Sequence, residues 1–108
     1  MNSMYTITGT VLRIHLPAEI DHHAAMRLCA ETDRLIQKKY IRRVVFDFSE
    51  TTFMDSSGIG MLIGRYKLMR FMGGIVLAVN VGPRMYQILS MAGIYKIIDI
   101  YEDTPVLD

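Results

Sequence analysis

The chain has 108 residues, 51% hydrophobic and 21% charged, a composition that excludes a disordered protein and favours one compact domain over residues 1–108. Twelve Lys and Arg against eleven Asp and Glu leave a formal net charge of +1, which supplies no overall attraction to nucleic acid or to an anionic membrane. Cys29 is the only cysteine, so an intramolecular disulfide and a multi-cysteine zinc site are excluded.

No segment of the sequence resembles a membrane span or a signal peptide. The longest apolar runs, such as Ile75–Val79, are far shorter than the ~18 to 20 residues that cross a bilayer. The start MNSMYTITG has neither a basic region nor an apolar stretch. The basic pairs at residues 38–39 and 42–43 are interpreted as solvated rims of a strand. We therefore expect a cytoplasmic location, with no membrane partner and no direct contact with nucleic acid.

The first half of the chain predicts two strands, a helix and a central strand. Residues 4–8 and 11–16 are short and β-branched, and the Gly9-Thr10 pair between them suits a hairpin turn. Apolar residues then recur at helical spacing from Asp21, a suitable cap, to near Tyr40. The nearly continuous apolar run at residues 42–48 predicts a strand covered on both sides.

The second half alternates helices with strands. A helix follows the sequence DSSGIG and ends at the glycine pair 73–74, and a buried strand follows at residues 75–79. Pro83 suits the first turn of a third helix, which ends at Gly93, and residues 97–101 predict a last strand. This order predicts an α/β fold with a mixed, mostly parallel sheet of about five strands and three to four α-helices.

The polar motif at residues 55–60 lies where a buried strand gives way to a helix. Ligands gather at this edge of open α/β sheets, and the free amides and dipole at a helix N-terminus favour an anionic group. A phosphate on Ser56 or Ser57 would therefore be tolerated. The alternative is that the polar residues only cap the helix while the glycines allow close packing. The residues alone leave both readings open.

Three stretches carry a resemblance to a known family. FMDSSGIG followed by GRYK, the earlier GT and LPAEIDHH, and the later MAGIYKII occur in the order and spacing of the STAS domain family. Over residues 4–101 the chain specifically resembles the bacterial anti-sigma-factor antagonists of the sporulation sigma F system. The resemblance implies a STAS-like fold.

The resemblance also implies a regulatory role and a set of site residues. The serine after the aspartate of DSSG, here Ser56, is the phosphoacceptor in such antagonists. The implied partners are an anti-sigma factor that is also an ATP-dependent serine kinase, and a PP2C-type phosphatase. The unphosphorylated chain would capture the kinase and free the sigma factor; the chain would need no cofactor and would not be an enzyme. Residues expected at the partner contact are Asp21, Asp55, Ser57, Gly58, Ile59 and Gly60. The predicted topology can place Asp21 on the same edge as Ser56, where Asp21 and Asp55 would orient Ser56 or contact the kinase; helix capping alone is the alternative for Asp21.

Three other functions can be compared with the sequence: a serine hydrolase, a receiver-like domain and a binding module that is never phosphorylated. A serine hydrolase would need a histidine after Ser56, but the three histidines all precede it. A receiver-like phospho-aspartate domain would use Asp47 or Asp55, but its acidic magnesium pair is missing after the first strand. A ligand-binding or scaffold module of the same fold that is never phosphorylated stays open, although the sequence has no nucleotide-binding motif.

The two histidines beside Asp21 are not expected to bind a metal ion. His22 and His23 are interpreted as exposed residues of a first helical turn, because no third metal ligand is near them in sequence.

Relatives usually close with a further helix, whereas EDTPVLD after Tyr101 predicts a short or missing one because Pro105 interrupts it.

Overall fold

A computed structural model describes residues 4–105 of the chain. In chain order its elements are β1 (Tyr5–Thr8), β2 (Val11–His15), β3 (Glu19–Ile20), α1 (His22–Lys38), β4 (Arg43–Asp47), β5 (Phe53–Met54), α2 (Ser56–Phe71), β6 (Ile75–Val79), α3 (Pro83–Met91), a 3-10 helix (Ile94–Lys96) and β7 (Asp99–Ile100). None of the helices described for residues 4–105 is long and apolar enough to cross a membrane.

Five of the strands form one mixed sheet in the order β1-β2-β4-β6-β7. β1 pairs antiparallel with β2, while β2, β4, β6 and β7 run parallel to one another. The predicted fold class is therefore confirmed. Because helices connect the parallel strands, all four end at one edge, called here the carboxyl edge, and begin at the opposite amino edge.

The core lies mainly between the sheet and its helices. Alternate strand residues point toward the helices, among them Leu12, Ile14, Val44 and Phe46, which are fully buried. On the other face, Val45, Leu77 and Val79 form a smaller buried cluster with Val11 and Tyr101. Burial on both faces explains the nearly continuous apolar runs of β4 and β6.

Two segments differ from the sequence prediction. Residues 49–54 were expected to be a connection only, but they contain β5, which pairs with β3 in a separate two-stranded sheet. The last strand was expected over residues 97–101 and is shorter. Gly93, at φ 75°, turns the chain into the 3-10 helix, and the amides of Ile97 and Ile98 both donate to the Ile94 carbonyl. These residues are thereby withdrawn from the strand ladder.

A polar network at the end of β4 holds the C-terminal segment against the sheet. The Asp47 carboxylate, only 4% exposed, accepts hydrogen bonds from the Arg13 guanidinium (2.8 Å) and the Asn80 amide (3.0 Å). The Thr104 hydroxyl accepts from Arg13 and donates to the Asn80 side chain. Residues 101–105 form no helix, and the rest of the segment for which a short or missing helix was expected, residues 106–108, lies outside the described residues.

This network makes the stability of the fold depend on pH in the acid range. Burial by itself raises the pKa of Asp47, but hydrogen bonds from Arg13, Asn80 and the Ser49 amide outweigh it and lower the pKa to about 2. Because the unfolded carboxyl titrates near pH ~4, the stabilisation is complete above that pH and is lost as the pH falls through about 2. We expect Asp47→Asn to lower the free energy of unfolding at pH 7 by about 2 kcal/mol.

Urea denaturation at pH 7 and at progressively lower pH measures this effect. The difference between Asp47→Asn and the parent chain is expected to shrink as the pH approaches 2, with Arg13 and the nearby His15 unchanged. Asp103→Asn removes the same charge from an exposed side chain and serves as the control. A constant difference across the pH range would contradict the assignment.

Candidate functional site

The two-stranded sheet of β3 and β5 brings two aspartates together at the carboxyl edge. The strands pair in parallel, with Ile20 opposite Met54, and the Asp55 amide donates to the Ile20 carbonyl at 3.1 Å. Asp21 and Asp55 each follow directly, so the two helices begin side by side. Ile20-Asp21 and Met54-Asp55 are thus matching apolar-Asp pairs at corresponding positions of the two strands.

Both aspartates cap a helix through their side chains. Asp21 accepts from the Ala24 amide at 2.9 Å, and this hydrogen bond lowers the pKa of Asp21. Asp55 accepts from the amides of Ser57 (2.9 Å) and Gly58 (3.3 Å). A cap of this kind typically stabilises a helix by about 1 kcal/mol. The sequence-based expectation that Asp21 shares an edge with Ser56 is confirmed.

The two serines have different environments. Ser56 is the first residue of α2 and is exposed, and its hydroxyl forms no hydrogen bond with any residue in the range 4–105. Ser57 is partly buried, and its hydroxyl shares a hydrogen bond of 3.3 Å with His22 Nδ1. Asp55 therefore carries out the capping, and the Ser56 hydroxyl is left accessible to an outside enzyme. The contact between His22 and Ser57 was missed by sequence reasoning, which treated His22 as an exposed first-turn residue.

The rest of the motif divides into packing and surface positions. A Cβ on the buried Gly58 would lie 2.4 Å from Met54 Cγ and 3.1 Å from Ile20 Cγ2, so only glycine permits this approach of α2 to the two-stranded sheet. Ile59 is partly buried against the main core. Gly60 has no heavy atom within 4 Å of a Cβ position, so close packing does not require it. Of the two motif glycines, only Gly58 has the packing role considered in the sequence analysis.

An open groove of about 500 Å³ runs between α1 and α2 beside Ser57. The residues that line it include His22, Ala25, Cys29 and Met61. Among residues 4–105 no group of three or more His, Cys, Asp or Glu side chains could hold a metal ion.

Among residues 4–105 no side chain is hydrogen-bonded to the Ser56 hydroxyl as a general base would be. The imidazole of His22 contacts Ser57, so Ser56 has no general base within hydrogen-bond distance among residues 4–105. Asp47, weighed as a phospho-aspartate, is buried and bonded to Arg13. The arrangement presents a hydroxyl at a helix N-terminus, where an added anion is favoured.

Comparisons with known proteins agree on one family. The STAS domain family matches residues 2–105. An anti-sigma F factor antagonist of Paenibacillus polymyxa is 37% identical over 93 residues, which are 86% of this chain and 80% of the relative. An anti-sigma-B factor antagonist of Bacillus subtilis is 26% identical over 89 residues, covering 82% of this chain and 80% of the relative.

Two solved structures share the fold. The anti-sigma factor antagonist SpoIIAA in its unphosphorylated form matches with a TM-score of 0.79 and 25% identity, over 88% of this chain and 83% of that one. The phosphorylated form of the Bacillus cell fate determinant SpoIIAA matches with a TM-score of 0.71 and 26% identity, over 88% and 86%. The mostly parallel five-stranded sheet and its three helices therefore follow the fold of SpoIIAA.

Proposed function

The chain belongs to the STAS domain family, and we propose that it is an anti-sigma factor antagonist switched by phosphorylation of Ser56. The unphosphorylated chain binds an anti-sigma factor, and the sigma factor held by that protein is released. The observation that carries the site assignment is the exposed, unbonded Ser56 hydroxyl at the first position of α2. The names of the relatives, anti-sigma F and anti-sigma-B factor antagonists, support the binding role.

The proposed cycle uses two enzymes, and this chain is the substrate of both. The anti-sigma factor itself transfers phosphate from ATP to Ser56, and a PP2C-type phosphatase removes it. Ser56 is suited to this because the dipole at the N-terminus of α2 favours the negative charge of a phosphoserine, although Asp55 occupies the Ser57 and Gly58 amides. We propose that the chain itself carries out no catalysis in this cycle.

The remaining motif residues are assigned by their positions. Asp21 and Gly60 are exposed beside Ser56 and the groove, so we infer that they contact the partner directly. Asp55 and Ser57 shape the first turn of α2 through the cap and the His22 contact. Gly58 and Ile59 pack inward, so their influence on binding acts through the placement of α2.

A second candidate is a ligand-binding module that is never phosphorylated. The apolar groove between α1 and α2, with a volume of about 500 Å³, favours it. The groove is open along its length and adjoins Ser57, so it equally suits a partner surface. The phosphorylation experiment distinguishes the two.

Phosphate mapping tests the proposed switch. The full chain is incubated with its cognate anti-sigma kinase and ATP, and the product is mapped by mass spectrometry. We expect one acid-stable phosphate on Ser56, lost in Ser56→Ala and retained in Ser57→Ala, the matched neighbouring control. Phosphate that persists in Ser56→Ala, or an acid-labile phosphate, would overturn the assignment.

A further inference from the structure

Several lysine and arginine residues lie at the amino edge of this chain. Residues 34–46 and 56–98 contain no Asp or Glu, yet each segment contains five of the twelve Lys and Arg residues. The carboxyl edge carries exposed or partly exposed acidic residues, including Glu19, Asp21 and Asp55. The net charge of +1 therefore combines acidic residues at the carboxyl edge, where Arg84 also lies, with a group of cations at the amino edge.

Arg42 connects two parts of the amino edge. The Arg42 guanidinium donates to the Tyr40 hydroxyl at 2.8 Å and to the Gly73 carbonyl at 3.2 Å. These bonds connect the segment after α1 with the turn after α2. Both acceptors are neutral, so these two bonds do not compensate the positive charge of Arg42. We call this surface the basic edge: Lys38, Lys39, Tyr40, Arg42, Arg70, Phe71 and Met72.

Large apolar side chains protrude from the same surface. Phe71 is 89% exposed, Tyr40 70% and Met72 45%. Met91 and Tyr95 are also exposed, and the chain path returns them to the amino edge because α3 leads back to the start of β7. An exposed phenylalanine at a helix end, on the same edge as several cations, marks an interaction surface.

Helix stabilisation explains only part of this pattern. Lys38 and Arg70 lie in the last turns of α1 and α2, where a cation complements the helix dipole. Lys39 and Arg42 lie beyond those turns, and the dipole has no effect on the exposure of Phe71.

We propose that the basic edge docks on an anionic lipid surface, with Phe71 and Met72 entering the headgroup region. This proposal departs from the sequence-based expectation of no membrane partner, which rested on the net charge of the whole chain. Apolar side chains that protrude from the same edge as Lys and Arg residues suit such a surface. A lipid surface needs only proximity of mobile cations, whereas the cores of protein interfaces are depleted in lysine. The positive charge would also attract nucleic acid, but nucleic acid offers no apolar layer that Phe71 and Met72 could enter together.

Docking in this orientation keeps the phosphorylation edge accessible. Ser56 and Phe71 are the first and last of the 16 residues of α2, so they are about 22 Å apart along its axis. Ser56 then faces away from the lipid, where a partner protein can reach it. The docking proposal stands on the amino edge alone and does not depend on the phosphorylation of Ser56.

Vesicle sedimentation with the full chain tests the proposal. The vesicles are phosphatidylcholine with or without phosphatidylglycerol, in low salt. We expect binding only to the anionic vesicles, weakened on the order of 100-fold by the joint change Lys38→Gln, Lys39→Gln and Arg42→Gln. Phe71→Ser is expected to weaken it about tenfold, because one exposed aromatic anchor is lost. Met26→Ser, which also removes an exposed apolar side chain but near the start of α1, is the control and should leave binding unchanged.

A fluorescent reporter locates the contact. The chain has no tryptophan, so Phe71→Trp introduces a single emitter whose spectrum should shift to the blue on anionic vesicles, whereas Met26→Trp should not shift. Circular dichroism checks that each variant is folded. Absence of binding to anionic vesicles, equal binding to phosphatidylcholine alone, or equal effects of Phe71→Ser and Met26→Ser would overturn the proposal. Binding to duplex DNA without vesicle binding would overturn it in favour of nucleic acid.

Discussion

Ser56→Asp is expected to weaken the complex with the anti-sigma factor on the order of 100-fold, whereas Ser56→Ala should retain nearly the full affinity. The added charge lies on an exposed position at the start of α2, where the partner is proposed to bind. A partner carboxylate or nucleotide phosphate about 6 Å away would repel it by on the order of 3 kcal/mol at an intermediate dielectric, which is about two powers of ten in affinity. Removal of the hydroxyl in Ser56→Ala leaves no group unpaired, because that hydroxyl has no bond within residues 4–105.

Isothermal titration calorimetry with the purified anti-sigma factor measures both affinities. Gln87→Glu adds the same charge to an exposed position on α3 and should leave the affinity unchanged. The difference between Ser56→Asp and Ser56→Ala should narrow as salt is raised, because the repulsion is screened. Equal affinities of the two Ser56 variants would refute the electrostatic switch.

Gly58→Ala and Gly60→Ala are expected to have opposite effects on stability, although both place the same methyl group in the first turns of α2. At Gly58 the methyl group would lie 2.4 Å from Met54 Cγ, an overlap that must displace the helix or the side chain. Such overpacking typically costs about 1 to 3 kcal/mol. At Gly60 nothing lies within 4 Å, so alanine should raise the free energy of unfolding by up to about 1 kcal/mol through its helix propensity.

Urea denaturation of the two variants gives the comparison directly. Met54→Ala removes the side chain that clashes, so Gly58→Ala should cost less in that background than in the parent chain. Gly58→Ala should also lower affinity for the anti-sigma factor, because the start of α2 carries Ser56. Equal destabilisation by the two glycine variants would show that the close approach of α2 to β5 is unimportant.

The main elements were predictable because they are long enough to show a pattern. β6 matches its predicted bounds, and Pro83 marks the first position of α3 as expected. Asp21 and Asp55 stand directly before α1 and α2, where short polar residues satisfy free amides. The DSSG motif and its resemblance to anti-sigma-factor antagonists predict Ser56 as the phosphoacceptor, and phosphate mapping is the test of that prediction.

The short elements were not predictable from local pattern. β3 and β5 have two residues each, which is too few for any alternation to be recognised, and their pairing is between segments more than 30 residues apart. Without that pairing the sequence does not show that Asp21 and Asp55 adjoin, or that His22 contacts Ser57. The position of the last strand likewise depended on the turn at Gly93.

The sequence by itself determined the fold class, the helix that begins at Ser56 and the family resemblance, because these rest on periodicity, capping and motif spacing along the chain. Tertiary structure alone decided that Ser56 is exposed while Ser57 is held, that Gly58 and not Gly60 is required for packing, and that several basic residues lie at one edge. Each of these depends on contacts between distant segments. A net charge of +1 sums over the chain, whereas a partner meets only the charges that the fold places on one surface.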